Sequence, residues 1–250
     1  MATRSILTTA TLALATLTMI PDGFGQEALF DARRDGATAS DGIRTDHLTP
    51  RQLQTWRSIE QIVQAVDRAG RPLHPRLFGL RQWARTCGHQ IYIELVDEKV
   101  PRTSHAGLLT VRGSAENGAS RVAVIQLWRS LIENAPVYKE TRLGHGFISF
   151  AGLSKLERYA LVLGHELTHA ALHLQDPEYS RLCMDLEAEA EAFLSFRQQN
   201  LNSSSYDQTM QRRLERIRSL TDQIEKPARL AEVEIRQELI EGQRAKTATR

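Results

Sequence analysis

The chain has 250 residues, 41% hydrophobic and 25% charged, which is the composition of a globular protein with one sizeable core and excludes a disordered or fibrous chain. Its formal net charge of +2 comes from 32 basic and 30 acidic residues, with no basic block, so nothing calls for a nucleic-acid partner.

Residues 1–25 stand apart from the rest. Arg4 precedes an acid-free apolar stretch from Ile6 to Ile20, and a Pro/Gly turn with Gly23 and Gly25 follows, the layout of a secretory signal peptide. The stretch falls short of the about 20 apolar residues a membrane-spanning helix needs, and no later segment is long and apolar enough. The expectation is an exported protein, periplasmic or secreted, with no stable membrane span after cleavage. Export would make Cys87 and Cys183 a possible disulfide pair, against the alternative of two separate thiols.

Residues 26–48 are polar and aperiodic and read as a flexible lead-in. At Thr49 the pattern changes. Thr49 as cap, Pro50 at the first helical position and Gln52 three residues on open a helix whose apolar stripe runs through Leu53, Trp56, Ile59, Ile62, Val63 and Val66. A second helical piece is expected around Leu77 to Trp83. Three extended segments follow, IYIELV, GLLTVR and VAVIQLW, with short connections that favour an antiparallel meander ending on VAVIQLW. A short helix near Ser130 to Asn134 and a glycine-flanked loop, GHGFISFAG, come next.

Ser154 and Glu157 form a capping box ahead of a long helix containing LVLGHELTHAALH, and Asp176 with Pro177 starts the next helix, which reaches about Gln199. Residues 49–200 are read as the main domain. NLNSSS breaks the pattern, and residues 201–250 form a charged helical extension that Lys226 and Pro227 should divide in two; it could bind a partner.

The chemistry sits in His165, Glu166, His169 and His173. Positions four apart lie on one helix face with Cβ atoms ~5–6 Å apart, so His165 and His169 can aim imidazole nitrogens at one ion. His173 is ~12 Å along the axis from His165 and cannot share that ion in an unbroken helix, so it is read as a supporting or capping residue. Glu166 stands where a general base reaches a metal-activated water, the HExxH arrangement. Gly164, mid-helix at a cost of ~1 kcal/mol relative to alanine, points to a close approach there. A third ligand should come from the following helix, where DLEAEAEAF offers Glu187, Glu189 and Glu191, and periodicity does not choose between the first two.

HELTHAALH followed 18 residues after His169 by EAEAEAF resembles the gluzincin class of zinc metallopeptidases, most of all its compact ImmA/IrrE-like members, and more loosely the membrane-associated HtpX-like peptidases. The resemblance implies one zinc ion on His165, His169 and Glu187, with Glu166 as the catalytic base and Glu191 orienting a histidine. It implies an α+β, zincin-like fold: a small antiparallel sheet packed on the HExxH helix and a second glutamate-bearing helix, with added N- and C-terminal helices. It implies peptide or protein substrates. The electrophile opposite the zinc is open between His145 and Tyr179. The rival readings are an exported interaction module with a structural zinc site and a zinc hydrolase of a non-peptide substrate.

Overall fold

The computed structural model describes residues 42–97, 106–112, 121–134, 150–199 and 206–248. In chain order these form β1 (Ile43–Arg44), α1 (Pro50–Val63), α2 (Pro75–Thr86), β2 (Gln90–Val96), β3 (Gly107–Arg112), β4 (Val122–Trp128), α3 (Arg129–Asn134), α4 (Lys155–Gln175), α5 (Pro177–Gln199) and α6 (Tyr206–Ala248). The class is α+β.

The sheet is mixed rather than the expected antiparallel meander, with strand order β1-β2-β4-β3. β2 pairs with β4 in parallel from Gln90 opposite Val122 to Val96 opposite Trp128, β1 adds a parallel pair on the far side, and β3 runs antiparallel to β4. Burial explains the order. β2 and β4 each carry three consecutive buried residues, Ile91–Ile93 and Ala123–Ile125, so both faces are covered at their middles and both strands belong inside the sheet. β3, which begins with Gly107 and ends on Arg112, is left at the edge. The edge expected at VAVIQLW is therefore at GLLTVR. Part of the lead-in is ordered too, since Ile43 and Arg44 pair with Ile91 and Tyr92.

Both capping boxes form. Thr49 accepts from the Gln52 amide while the Gln52 side chain answers the cap, and Ser154 and Glu157 do the same for α4. Every residue of α4 from Tyr159 to Ala170 is buried, so this helix is enclosed on all sides. It touches α1, α2, α3, α5, α6, β3 and β4, and the main core gathers around it.

The chain after residue 205 departs most from expectation. α6 is one helix through Pro227, ~65 Å long at 1.5 Å per residue, not two. Its first half packs on α5 around a separate small core of Ala190, Phe193, Leu214 and Ile217. Its second half lies along α4 and puts Ile235 and Leu239 into the main core. An interior proline forfeits a backbone hydrogen bond and crowds the preceding turn, at ~3 kcal/mol. Here buried Ile224, Ala228 and Ala231 hold the helix in place on both sides of it. Gly164 accounts for the close approach: a Cβ there would stand 2.5 Å from Ile235 Cδ1 and 3.1 Å from Leu77 Cδ1.

Among the described residues, no helix is long and apolar enough to cross a membrane. Cys87 and Cys183 are free thiols, and burial pushes the Cys183 thiol up to about 12.

Candidate metal centre

α4 presents His165 and His169 one turn apart on the side that meets α6. Their Nε2 atoms face each other at 3.0 Å. Across from them stands Glu225 of α6, with Oε2 3.5 Å from His165 Nε2 and Oε1 3.7 Å from His169 Nε2. One donor atom from each of the three residues lies within 4.8 Å of the others, close enough to hold one metal ion.

The outer nitrogens of both rings are engaged, and this decides where their lone pairs point. His165 Nδ1 is 3.1 Å from Glu232 Oε2, a carboxylate that only accepts, so Nδ1 carries the proton. His169 Nδ1 is 2.6 Å from the Tyr179 hydroxyl, which itself donates to the Ile224 carbonyl at 3.0 Å. The phenol has one proton, spent on Ile224, so it accepts from His169 Nδ1–H. With both rings neutral, each Nε2 keeps a lone pair for an ion held with Glu225, while a second proton on His165 goes to Nε2 and faces the Glu225 carboxylate. Two such nitrogens at 3.0 Å repel unless a proton or a cation stands between them, and the donor set of two imidazoles and a carboxylate suits zinc.

Local sequence builds this geometry. Asp176 ends α4 and caps α5, accepting from the Glu178 and Tyr179 amides, and the tight junction swings Tyr179 back beside His169. Glu225 and Glu232 are seven residues apart on α6, two turns, so both face α4. Pro227 sits between them.

The rings respond to the carboxylates unequally. Burial disfavours a charged His165, yet hydrogen bonds to Glu225 and Glu232 outweigh it and raise its pKa. His169 is driven down, chiefly by burial. Burial also opposes ionisation of Glu225, but the His165 hydrogen bond and both imidazoles hold its carboxyl below the usual range. Glu166, buried and outside the three-residue group, is pushed up to about 7 by desolvation, with His165 working the other way. Its carboxylate lies against the edge strand: a Cβ at Gly107 would stand 2.5 Å from Glu166 Oε1 and 2.7 Å from Val162 Cγ1.

Of the residues expected at the site, His165 and His169 are in the group, Glu166 is buried next to His165 but outside it, and Glu187 is not in it. Glu187 is exposed on α5 and outside the group, as is Glu191, while Glu189 pairs with Arg213 at 2.7 Å. α5 packs on the first half of α6 around the small core of Ala190, Phe193, Leu214 and Ile217. Tyr179, a candidate electrophile, is occupied with His169 and Ile224, and burial raises its phenol pKa further. His145 lies outside the described residues. His173 is absent from the group, and its carbonyl accepts from Arg121 near the end of α4. Glu225 and Glu232 escaped the sequence reading, although acids recurring at a seven-residue step beside the apolar stripe of Ile224, Ala228, Ala231 and Ile235 were a visible sign.

The chain matches no family model, no curated protein and no solved structure.

Proposed function

We propose that this protein is a zinc-dependent metallopeptidase of zincin-like design, with one zinc ion held by His165, His169 and Glu225 and with Glu166 as the general base. The observation that carries the reading is the convergence of three donor atoms within 4.8 Å, two of them imidazole nitrogens whose outer sides are engaged by Glu232 and Tyr179. When bound, zinc supplies a Lewis acid and brings the pKa of a water molecule to about 7. Glu166, held near neutrality by burial, takes a proton from the attacking water and returns it to the leaving amine. Among the described residues β3 has β4 on one side and no strand on the other, so an extended peptide can add to that edge and pass Glu166 at Gly107.

Three protein donors favour hydrolysis over a purely structural ion. A closed structural zinc site takes four protein ligands, and the group here has three among the described residues. The substrate is a peptide or protein segment in extended form, and export to the periplasm or medium fits the character of residues 1–25.

The test is a peptide-library digest by the purified protein, with metal analysis, beside Glu166→Gln. The expected outcome is cleavage that a chelator abolishes, and a variant that keeps its zinc while losing about 10²–10⁴-fold in rate. Undiminished cleavage by Glu166→Gln, or a wild-type protein without bound metal, would overturn the reading.

A further inference from the structure

The proposed site has two imidazoles, two carboxylates and a base, but no group assigned to the negative charge that peptide hydrolysis builds on the substrate's carbonyl oxygen. Tyr179 is not available, since its one proton goes to the Ile224 carbonyl and its oxygen accepts from His169. The nearest cation on α6 is Arg229, one turn beyond Glu225 and on the same side of the helix.

Arg229 is placed beside the site without being consumed by it. Its Nε lies 4.0 Å from Glu225 Oε2 and its Nη1 3.7 Å from Asp222 Oδ1, both longer than a hydrogen bond. The guanidinium has five N–H donors, and neither contact saturates one. The side chain is 27% exposed, so part of it stays open to solvent beside the buried histidines. Its charge is felt at both His169 and Glu225. An arginine kept only to neutralise Glu225 would gain most from a short, two-pronged contact with that carboxylate, and this one stands off.

We propose that Arg229 is the electrophile of the site, donating to the substrate's carbonyl oxygen as negative charge develops there. This rests on the metallopeptidase reading above. The role suits a guanidinium: it is charged at every working pH, presents planar donors, and in a partly dehydrated cleft its interaction with a new anion is stronger than in water. No bond to Arg229 forms or breaks. It meets charge that appears only on the way to the tetrahedral state, so its loss should lower kcat and leave KM in place.

The experiment compares wild type with Arg229→Ala and Arg229→Gln, each assayed for zinc content, for kcat and KM on a cleaved peptide, and for calorimetric affinity toward a phosphinic peptide, an anionic tetrahedral mimic. Expected are a fall in kcat of about 10²–10³-fold, KM and zinc content unchanged, and phosphinic-peptide affinity weakened by a similar factor. Free guanidinium at low millimolar concentration should restore part of the rate to Arg229→Ala. Unchanged kcat and phosphinic-peptide affinity would overturn the proposal, and so would a rate lost only in step with zinc, which would make Arg229 a prop for Glu225. If Arg229→Ala does not fold, Arg229→Gln decides by the same split. Failure of the underlying reading looks different, since the wild-type protein would then bind no zinc or cleave no peptide.

Discussion

The acids of α5 and the acids of α6 make a useful contrast. In sequence, EAEAEAF is the conspicuous cluster, with Glu187, Glu189 and Glu191 at alternate positions, while Glu225 and Glu232 are scattered through a stretch crowded with charge. In the fold the ranking reverses. Glu187 and Glu191 are exposed and Glu189 pairs with Arg213, whereas Glu232 is buried against His165 and Glu225 faces both histidines. What separates them is the partner of each helix surface: α5 closes a small core with α6 around Leu214 and Ile217, and α6 from Glu225 onward is the surface turned to α4. Density of acids along a helix says little about a site, and the face turned to the histidines says most.

Substitutions can break this contrast directly. Glu225→Ala should remove most bound zinc, with a loss of affinity beyond ~100-fold, while Glu187→Ala leaves zinc content at the wild-type level; equilibrium dialysis with a metal indicator reads both. Retention of zinc by the first and loss by the second would restore α5 as the ligand helix. A smaller effect is expected at the outer nitrogens. Glu232→Gln and Tyr179→Phe should each weaken zinc binding ~10–100-fold without emptying the site at saturating metal, because they free the rings that the ligands depend on. The smallest effect is on stability alone. Gly164→Ala should lower unfolding free energy by roughly 1–2 kcal/mol even though alanine is the better helix former, because the new methyl collides with buried Ile235; urea titration followed by circular dichroism measures it. An increase in stability would show that α6 can move off α4 without cost.

The parts of the molecule that were legible in the sequence are those fixed by local chemistry. Thr49 with Gln52 and Ser154 with Glu157 announce helix starts within four residues, and His165, Glu166 and His169 declare a half-site within five. The third donor was not legible because its contact spans 56 residues from His169 to Glu225 and depends on a helix that continues through Pro227. Proline was read as a divider on its backbone cost, and burial on both sides of it overrode that cost. The sheet order failed for a related reason. Short connections favour neighbouring strands, but the doubly buried runs Ile91–Ile93 and Ala123–Ile125 pair with each other and displace β3 to the rim.

The span between the histidines and Glu225 also sets a timetable. A ribosome that has finished α4 and α5 has made both histidines and Glu166, yet Glu225 and Glu232, and the Gln243 side chain that reaches Glu157 at the start of α4, are still to come. At translation speeds of about 5–20 residues per second, the nascent chain spends on the order of seconds with both histidines made and Glu225 still missing. A site put together in this order is an open clasp until α6 is laid against α4, because one of its three donors arrives only with that helix.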